Sequence, residues 1–331
     1  MTRPASIFVE ANRLRLHLLD WSAPGASGEP VLLLHGLQEH ARAWDFVAPR
    51  LAAEGRPVLA LDWRGHGRSE RVGRGGYYHF ADYVADLAFL VRELGGRVAL
   101  VGHSMGGSAA LLYAGTEPER VSALVLVEGL GPPDADPAQT AERWGAWVGE
   151  LETIARPREP GSSRKPLTLA SATRRLAERF PLWSPEVVRH MALHGTRVTG
   201  DVGDDCDGGG AGADSAGGVA SIGDGDHRVD QDAPREWRFD PLHRTRSPQP
   251  YYVAQARSFW RRVACPVLYV EGTRSYISAA PIEVDARVRE IGAERATIEG
   301  AGHHPQLERA EETGEVIAGF LGRAGRGERG A

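Results

Sequence analysis

The sequence predicts an α/β fold, a mostly parallel central sheet flanked by helices, into which a largely helical segment is inserted. Short apolar runs closed by glycine or a polar residue recur at 31–36 ("VLLLHG"), 57–67 ("PVLALDWRGHG"), 97–104 ("RVALVGHS") and 121–129 ("VSALVLVEG"). That is the pattern of strands buried on both faces. Amphipathic stretches alternate with them; in 79–94, Phe80, Val84, Leu87, Val91 and Leu94 share one helical face. The alternation stops near Gly131 and resumes at 265–272 with "CPVLYVEG", so βαβ units enclose an insertion.

Segments 6–10 and 13–20 are β-rich and separated by "AN", which suits a hairpin. A helix is expected in "AWDFVAPRLAAEG" (43–55) and another in "MGGSAALLYAGTEPE" (105–119). The insertion is richer in Pro, Arg and Trp and carries helical patches at 140–155 and 168–180. A helix at 281–291, a strand in "RATIEG" and a final helix at 306–322 complete the chain. These assignments give a core of 1–130 and 263–325, a cap of 131–262 and a flexible tail at 326–331. Such insertions commonly serve as active-site lids. Within the cap, 201–232 is mostly Gly, Asp, Ala and Ser; with so little to bury it is expected to be a mobile loop. Its "GGAGADSAG" loosely matches a calcium-binding nonapeptide. It is one degenerate copy with Ala216 where a large apolar residue belongs, and no metal is expected there.

Composition excludes several classes. With 331 residues, 42% hydrophobic, 25% charged and a formal net charge of -5, nothing marks a nucleic-acid or membrane partner. The basic charge is nearly all arginine, Lys165 being the sole lysine. Cys206 and Cys265 stand far apart and form neither a disulfide framework nor a zinc-ligand spacing. The first 21 residues lack the apolar core of a signal peptide, and no run reaches membrane-span length. A cytoplasmic protein without a cofactor is the expectation.

The chemistry centres on "GHSMG" at 102–106, which satisfies G-x-S-x-G. Five residues with three fixed positions arise by chance, and a serine in a glycine-rich turn is the plain alternative. The context is a buried strand before and an Ala/Leu-rich helix after, the setting of a nucleophile elbow. With "LLLHGL" (32–37), "LDWRGHGRS" (61–69) and "EGAGHHPQLE" (299–308) in this order, the chain resembles the α/β-hydrolase superfamily outside 131–262. "GLGPP" and "DPLHRTRSPQPYY" are broadly similar to bacterial members related to the serine hydrolase-like proteins.

The resemblance implies an α/β-hydrolase fold and a triad. Ser104 is the nucleophile, and His303, directly after glycine in "GAGHHP", is the base, with His304 as the alternative. Many members carry the acid after the seventh strand in "G-x-x-D"; here "VEGTRS" puts Ser275 there. The other known placement, the end of the preceding strand, holds Glu128. Glu271 and Asp285 are the competing acids. Backbone N–H groups of Leu37 and Met105 would form the oxyanion hole, and Gly36, His103 and His304 are expected beside the substrate. His35, His66 and His103 also have a structural reading, as braces of their loops. Trp144, Trp147, Trp183, Trp237, Trp260, Phe180, Tyr251 and Tyr252 offer an aromatic acyl pocket or, for most, packing of cap on core. The expected partner is a small acyl compound, a carboxylic ester, thioester or similar. C–C or amide hydrolysis and haloperoxidase-like activity share the triad, whereas dehalogenases and epoxide hydrolases use an aspartate at the Ser104 position. A non-catalytic binding protein on the same fold would instead carry a broken triad.

Overall fold

The computed structural model describes residues 3–156, 166–200, 230, 232–277 and 281–327. Most of the Gly/Asp-rich loop, with its nonapeptide-like segment and Cys206, and residues 328–331 of the expected tail lie outside the described residues.

Eight strands form one sheet. In chain order these are β1 (Ala5–Ala11), β2 (Leu14–Asp20), β3 (Val31–Leu34), β4 (Val58–Leu61), β5 (Val98–His103), β6 (Val121–Val127), β9 (Val267–Gly272) and β10 (Glu294–Ile298). Their spatial order is β1-β2-β4-β3-β5-β6-β9-β10. β1 pairs with β2 and β2 with β4 antiparallel; every other pairing is parallel. The β1–β2 hairpin turns on Asn12 and Arg13, both at positive φ, the backbone of a two-residue turn that matches strand twist.

The strands β3 and β4 are buried at every residue, as their unbroken apolar runs require, because helices cover both faces. One face packs against α2 (Phe80–Glu93), α3 (Met105–Thr116), α7 (Val253–Trp260) and α8 (Pro281–Ile291). The other packs against α1 (Ala48–Ala52) and α10 (Ala310–Gly325). Each fully buried leucine on these faces contributes about 1.5–3 kcal/mol.

Three boundaries differ from the expected ones. The helix expected over 43–55 shrinks to α1 with a 3-10 turn at Ala41–Trp44 before it, because Pro49 is favourable only in a first helical turn. The final helix divides into α9 (Pro305–Glu308) and α10, broken at Arg309 (φ -140°, ψ 55°). The core also resumes before residue 263: Val253, Ala256 and Trp260 of α7 are buried with Tyr113 and Val267. The rest of the insertion supplies α4 (Thr140–Ala155), α5 (Leu169–Arg179), α6 (Pro185–His194) and a small hairpin, β7 (Thr196–Val198) with β8 (Arg235–Trp237). Among the described residues no helix is long and apolar enough to cross a membrane.

Candidate active site

The parallel strands β3, β5, β6, β9 and β10 end on one edge of the sheet, the edge where open α/β sheets gather their ligands. Among the described residues, five that are not glycine have positive φ: Asn12, Arg13, Gln38, Ser104 and Glu128. Two make the hairpin turn, and the other three stand on this edge. Backbone strain is held where surrounding structure over-determines it.

Ser104 links β5 to α3 with φ 50° and ψ -114°, while its N–H donates to the Val127 carbonyl at 2.9 Å. A Cβ on Gly106 would lie 2.4 Å from the Leu34 carbonyl oxygen, so the turn requires glycine there. The hydroxyl of Ser104 lies 3.0 Å from His303 Nε2, and His303 Nδ1 lies 3.2 Å from Glu128 Oε2. Glu128 is 2% exposed and accepts from Gly272 N–H at 2.8 Å and Ser275 Oγ–H at 2.5 Å. Ser275, at the position where an aspartate is commonest, thus serves as a donor to the carboxylate. The competing acids point elsewhere: Glu271 Oε1 is 2.6 Å from Arg295, and Asp285 is 2.5 Å from the same guanidinium.

Burial pushes the His303 imidazole below its ordinary pKa, opposed by the hydrogen bond to Glu128. The ring is therefore neutral at pH 7 and able to accept a proton. The N–H groups of Leu37 and Met105 make no hydrogen bond among the described residues. Both residues border the same cavity as Ser104, and Met105 opens α3, where N–H groups have no partner within the helix. Two braces shape the Leu37 loop. His66 Nε2 accepts from Gln38 N–H at 3.2 Å, and His35 Nε2 accepts from Trp63 N–H at 3.1 Å.

Two of the residues expected beside the substrate are not there. Gly36 and His103 are buried behind the site and border neither cavity. A Cβ on Gly36 would lie 2.8 Å from both Glu39 Oε1 and His103 Nδ1, so this glycine admits a polar cluster. His103 Nε2–H donates to the His303 carbonyl at 2.7 Å, and its Nδ1 is 3.0 Å from Glu39 Oε1. His304 does border a cavity, but its ring is held between Glu39 (3.4 Å) and Glu308 (3.8 Å). Those two carboxylates push the His304 pKa up to about 9 against the effect of burial. Glu39 is itself held well below the usual carboxylate range, because His103 and His304 outweigh its desolvation.

Glu39, overlooked in the sequence, is the centre of this arrangement. It also accepts from Gly36 N–H at 3.0 Å, so one buried carboxylate ties together the Leu37 loop, the turn at Ser104 and the histidine loop. Only its place beside "HG" in "LLLHGLQE" pointed to it. Glu39, His103 and His304 bring three donor atoms within 4.8 Å of one another, the spacing of a possible metal cluster; their mutual hydrogen bonds already satisfy them.

Tyr276 is the second residue the sequence did not announce. It is 69% exposed, with its hydroxyl 3.3 Å from His303 Nε2. Burial and the Glu128 charge push its phenol up, so it is protonated at neutral pH. Of the cap aromatics, Trp147 borders the cavity of about 500 Å³ in front of Ser104. Phe180, Trp183 and Trp237 border a second cavity of about 920 Å³. Trp260 is core, and Trp144 is 56% exposed. Tyr77, Tyr78, Phe80 and Tyr83 also line the first cavity; they come from the core, at the start of α2.

The comparisons agree with this architecture. Residues 29–162 match the family model described as alpha/beta hydrolase fold. A serine hydrolase-like protein of Danio rerio is 38% identical over 105 residues, 31% of this chain. The matched stretch spans 32% of that relative's length. The structure of a hypothetical protein from Pseudomonas aeruginosa PAO1 superposes with a TM-score of 0.76 at 26% identity, covering 96% of this chain and 100% of the other. A thioesterase domain from the curacin biosynthetic pathway gives a TM-score of 0.74 at 24% identity, covering 96% and 99%.

Proposed function

We propose that this chain, which belongs to the α/β-hydrolase superfamily, is a serine hydrolase that cleaves a carboxylic ester, thioester or similar acyl bond through an acyl-enzyme. The observation that carries the proposal is the continuous line Ser104 Oγ, His303 Nε2, His303 Nδ1, Glu128 Oε2, with steps of 3.0 and 3.2 Å. Nucleophile, base and orienting acid are thereby within hydrogen-bond reach of one another.

His303 Nε2 takes the Ser104 proton as Oγ bonds to the substrate carbonyl carbon. The N–H groups of Leu37 and Met105 stabilise the resulting oxyanion, and Glu128 stabilises the imidazolium. The bond to the leaving group then breaks, and His303 returns its proton to that group. Water repeats the sequence, giving its hydroxyl to the acyl carbon and its proton to His303. A carboxylic acid is released and Ser104 regains its hydrogen. A serine at the nucleophile position disfavours the dehalogenase and epoxide-hydrolase readings.

Incubation with a fluorophosphonate probe is expected to label Ser104 alone, read by peptide mass spectrometry. Folded protein that takes up no label would overturn the proposal. Tyr276 adds a graded test. A neutral His303 has one lone pair at Nε2, and the hydroxyls of Ser104 and Tyr276 both point at it. Tyr276→Phe leaves that acceptor to the nucleophile and is expected to raise the second-order labelling rate roughly threefold, one modest hydrogen bond's effect. A slower rate in the variant would assign the phenol a supporting role instead.

A further inference from the structure

Two cavities meet at Ser104, and they differ in how their cations are engaged. Leu37, Ser104, Tyr276 and His303 border both. The first is walled by Tyr77, Phe80, Leu130, Trp147 and Ile277. Its arginines are already committed. Arg246 pairs with Glu150 at 2.8 Å, while Arg287 donates to the Leu130 and Gly131 carbonyls and pairs with Glu283.

The second cavity is lined by Arg175 and Arg179 of α5 and by Arg274 in the loop after β9. No carboxylate pairs with any of these three among the described residues. Arg244 shares the wall, its guanidinium 5.3 Å from the Phe239 ring centre. The two carboxylates on this wall, Glu39 and Glu308, are occupied by His304 and by the Gly36 and Gly302 N–H groups. Among the described residues, Arg175, Arg179 and Arg274 therefore present guanidinium forks that no carboxylate neutralises.

Resting on the hydrolase reading above, we infer that the substrate is amphiphilic across its scissile bond. An apolar group fills the aromatic cavity, and an anionic group, carboxylate or phosphate, sits against Arg175, Arg179 and Arg274. The reverse placement would put a charge among apolar walls whose cations are spent, at a large desolvation cost. Guanidinium groups match both oxyanions in geometry and charge.

The test compares three substrates: p-nitrophenyl hexanoate, which is neutral; the p-nitrophenyl monoester of adipic acid; and hexanoyl phosphopantetheine thioester. The second carries a carboxylate on the acyl side, the third a phosphate on the leaving group. At least one anionic substrate is expected to exceed the neutral one in kcat/KM by about tenfold at low salt, with the preference shrinking as salt screens it. The arm that shows the preference identifies the anion. In Arg175→Gln/Arg179→Gln, and separately in Arg274→Gln, the anionic-to-neutral ratio should fall several-fold, chiefly through KM. Equal ratios in wild type and both variants, with Ser104 still labelled by the fluorophosphonate, would overturn the inference alone. Folded protein that neither labels nor cleaves any of the three would remove the hydrolase reading with it.

Discussion

Glu128→Gln is expected to lower kcat for ester hydrolysis by about 10⁴-fold, the scale reached when an orienting acid becomes an amide. Glu128 accepts the Nδ1 proton of His303 at 3.2 Å, which leaves Nε2 as the acceptor facing Ser104. An amide can present N–H to Nδ1 and so favour the tautomer with its proton on Nε2, where Ser104 needs a base. The pH profile supplies a second readout. Burial holds the His303 pKa down and the Glu128 hydrogen bond draws it up. Activity requires the neutral ring, so the wild-type profile falls off on the acid side, below pH 6.5. Removing Glu128 lowers the His303 pKa further and moves that limb to lower pH. A kcat within tenfold of wild type and an unmoved limb would refute the assignment.

The place of Ser275 sharpens this test. Its hydroxyl is 2.5 Å from Glu128 Oε2, the oxygen that faces His303, so an aspartate at 275 would start from nearly the same point. In a Glu128→Ala background, Ser275→Asp is expected to recover at least about tenfold of the lost rate, since it restores an orienting carboxylate. The acid would then have moved from the end of β6 to the loop after β9 with its function retained.

How much of this was legible follows from which residues speak through local pattern. The sheet announced itself, because β3, β4, β5 and β6 are buried on both faces and read as unbroken apolar runs. Ser104 was legible because it sits in a glycine-rich turn that closes such a run, and His303 because it directly follows glycine in "GAGHHP" after the last strand. Glu128 followed by position, once Ser275 had displaced the expected aspartate. Glu39 was not legible. Its partners His103 and His304 lie 64 and 265 residues further along the chain, and only the fold brings them together. His103 was misplaced for the same reason: an elbow position tells nothing of which way a ring turns. Phe80 read as part of the face of a core helix, although its ring also walls a cavity. Side chains that serve packing and substrate together carry one sequence signal for two uses.

Glu39→Gln is expected to be the most destabilising of these substitutions, costing about 3–5 kcal/mol, as when one partner of a buried ion pair is removed. It leaves His304 with Glu308 alone and deprives His103 Nδ1 of its carboxylate. The linkage has a definite sign. His304 is raised from 6.5 to about 9 in the fold, so its contribution is full below pH 6.5 and is lost as pH rises towards 9. Glu39 is held well below its ordinary value, so its contribution is present at neutral pH and is lost on acidification. Wild-type stability to urea should therefore decline on both sides of neutrality, and both declines should be shallower in the variant, with Glu308 retaining part of the alkaline one. The catalytic effect arises at a distance. Glu39 holds Gly36 N–H directly and the His303 carbonyl through His103, so its loss loosens the oxyanion loop and the base together. Small displacements of reacting groups cost about 10²-fold, and a fall of that size in kcat, with KM little changed, is the expected readout. Equal alkaline declines in the two proteins would show that His304 does not depend on Glu39, and the buried cluster would lose its place in the catalytic design.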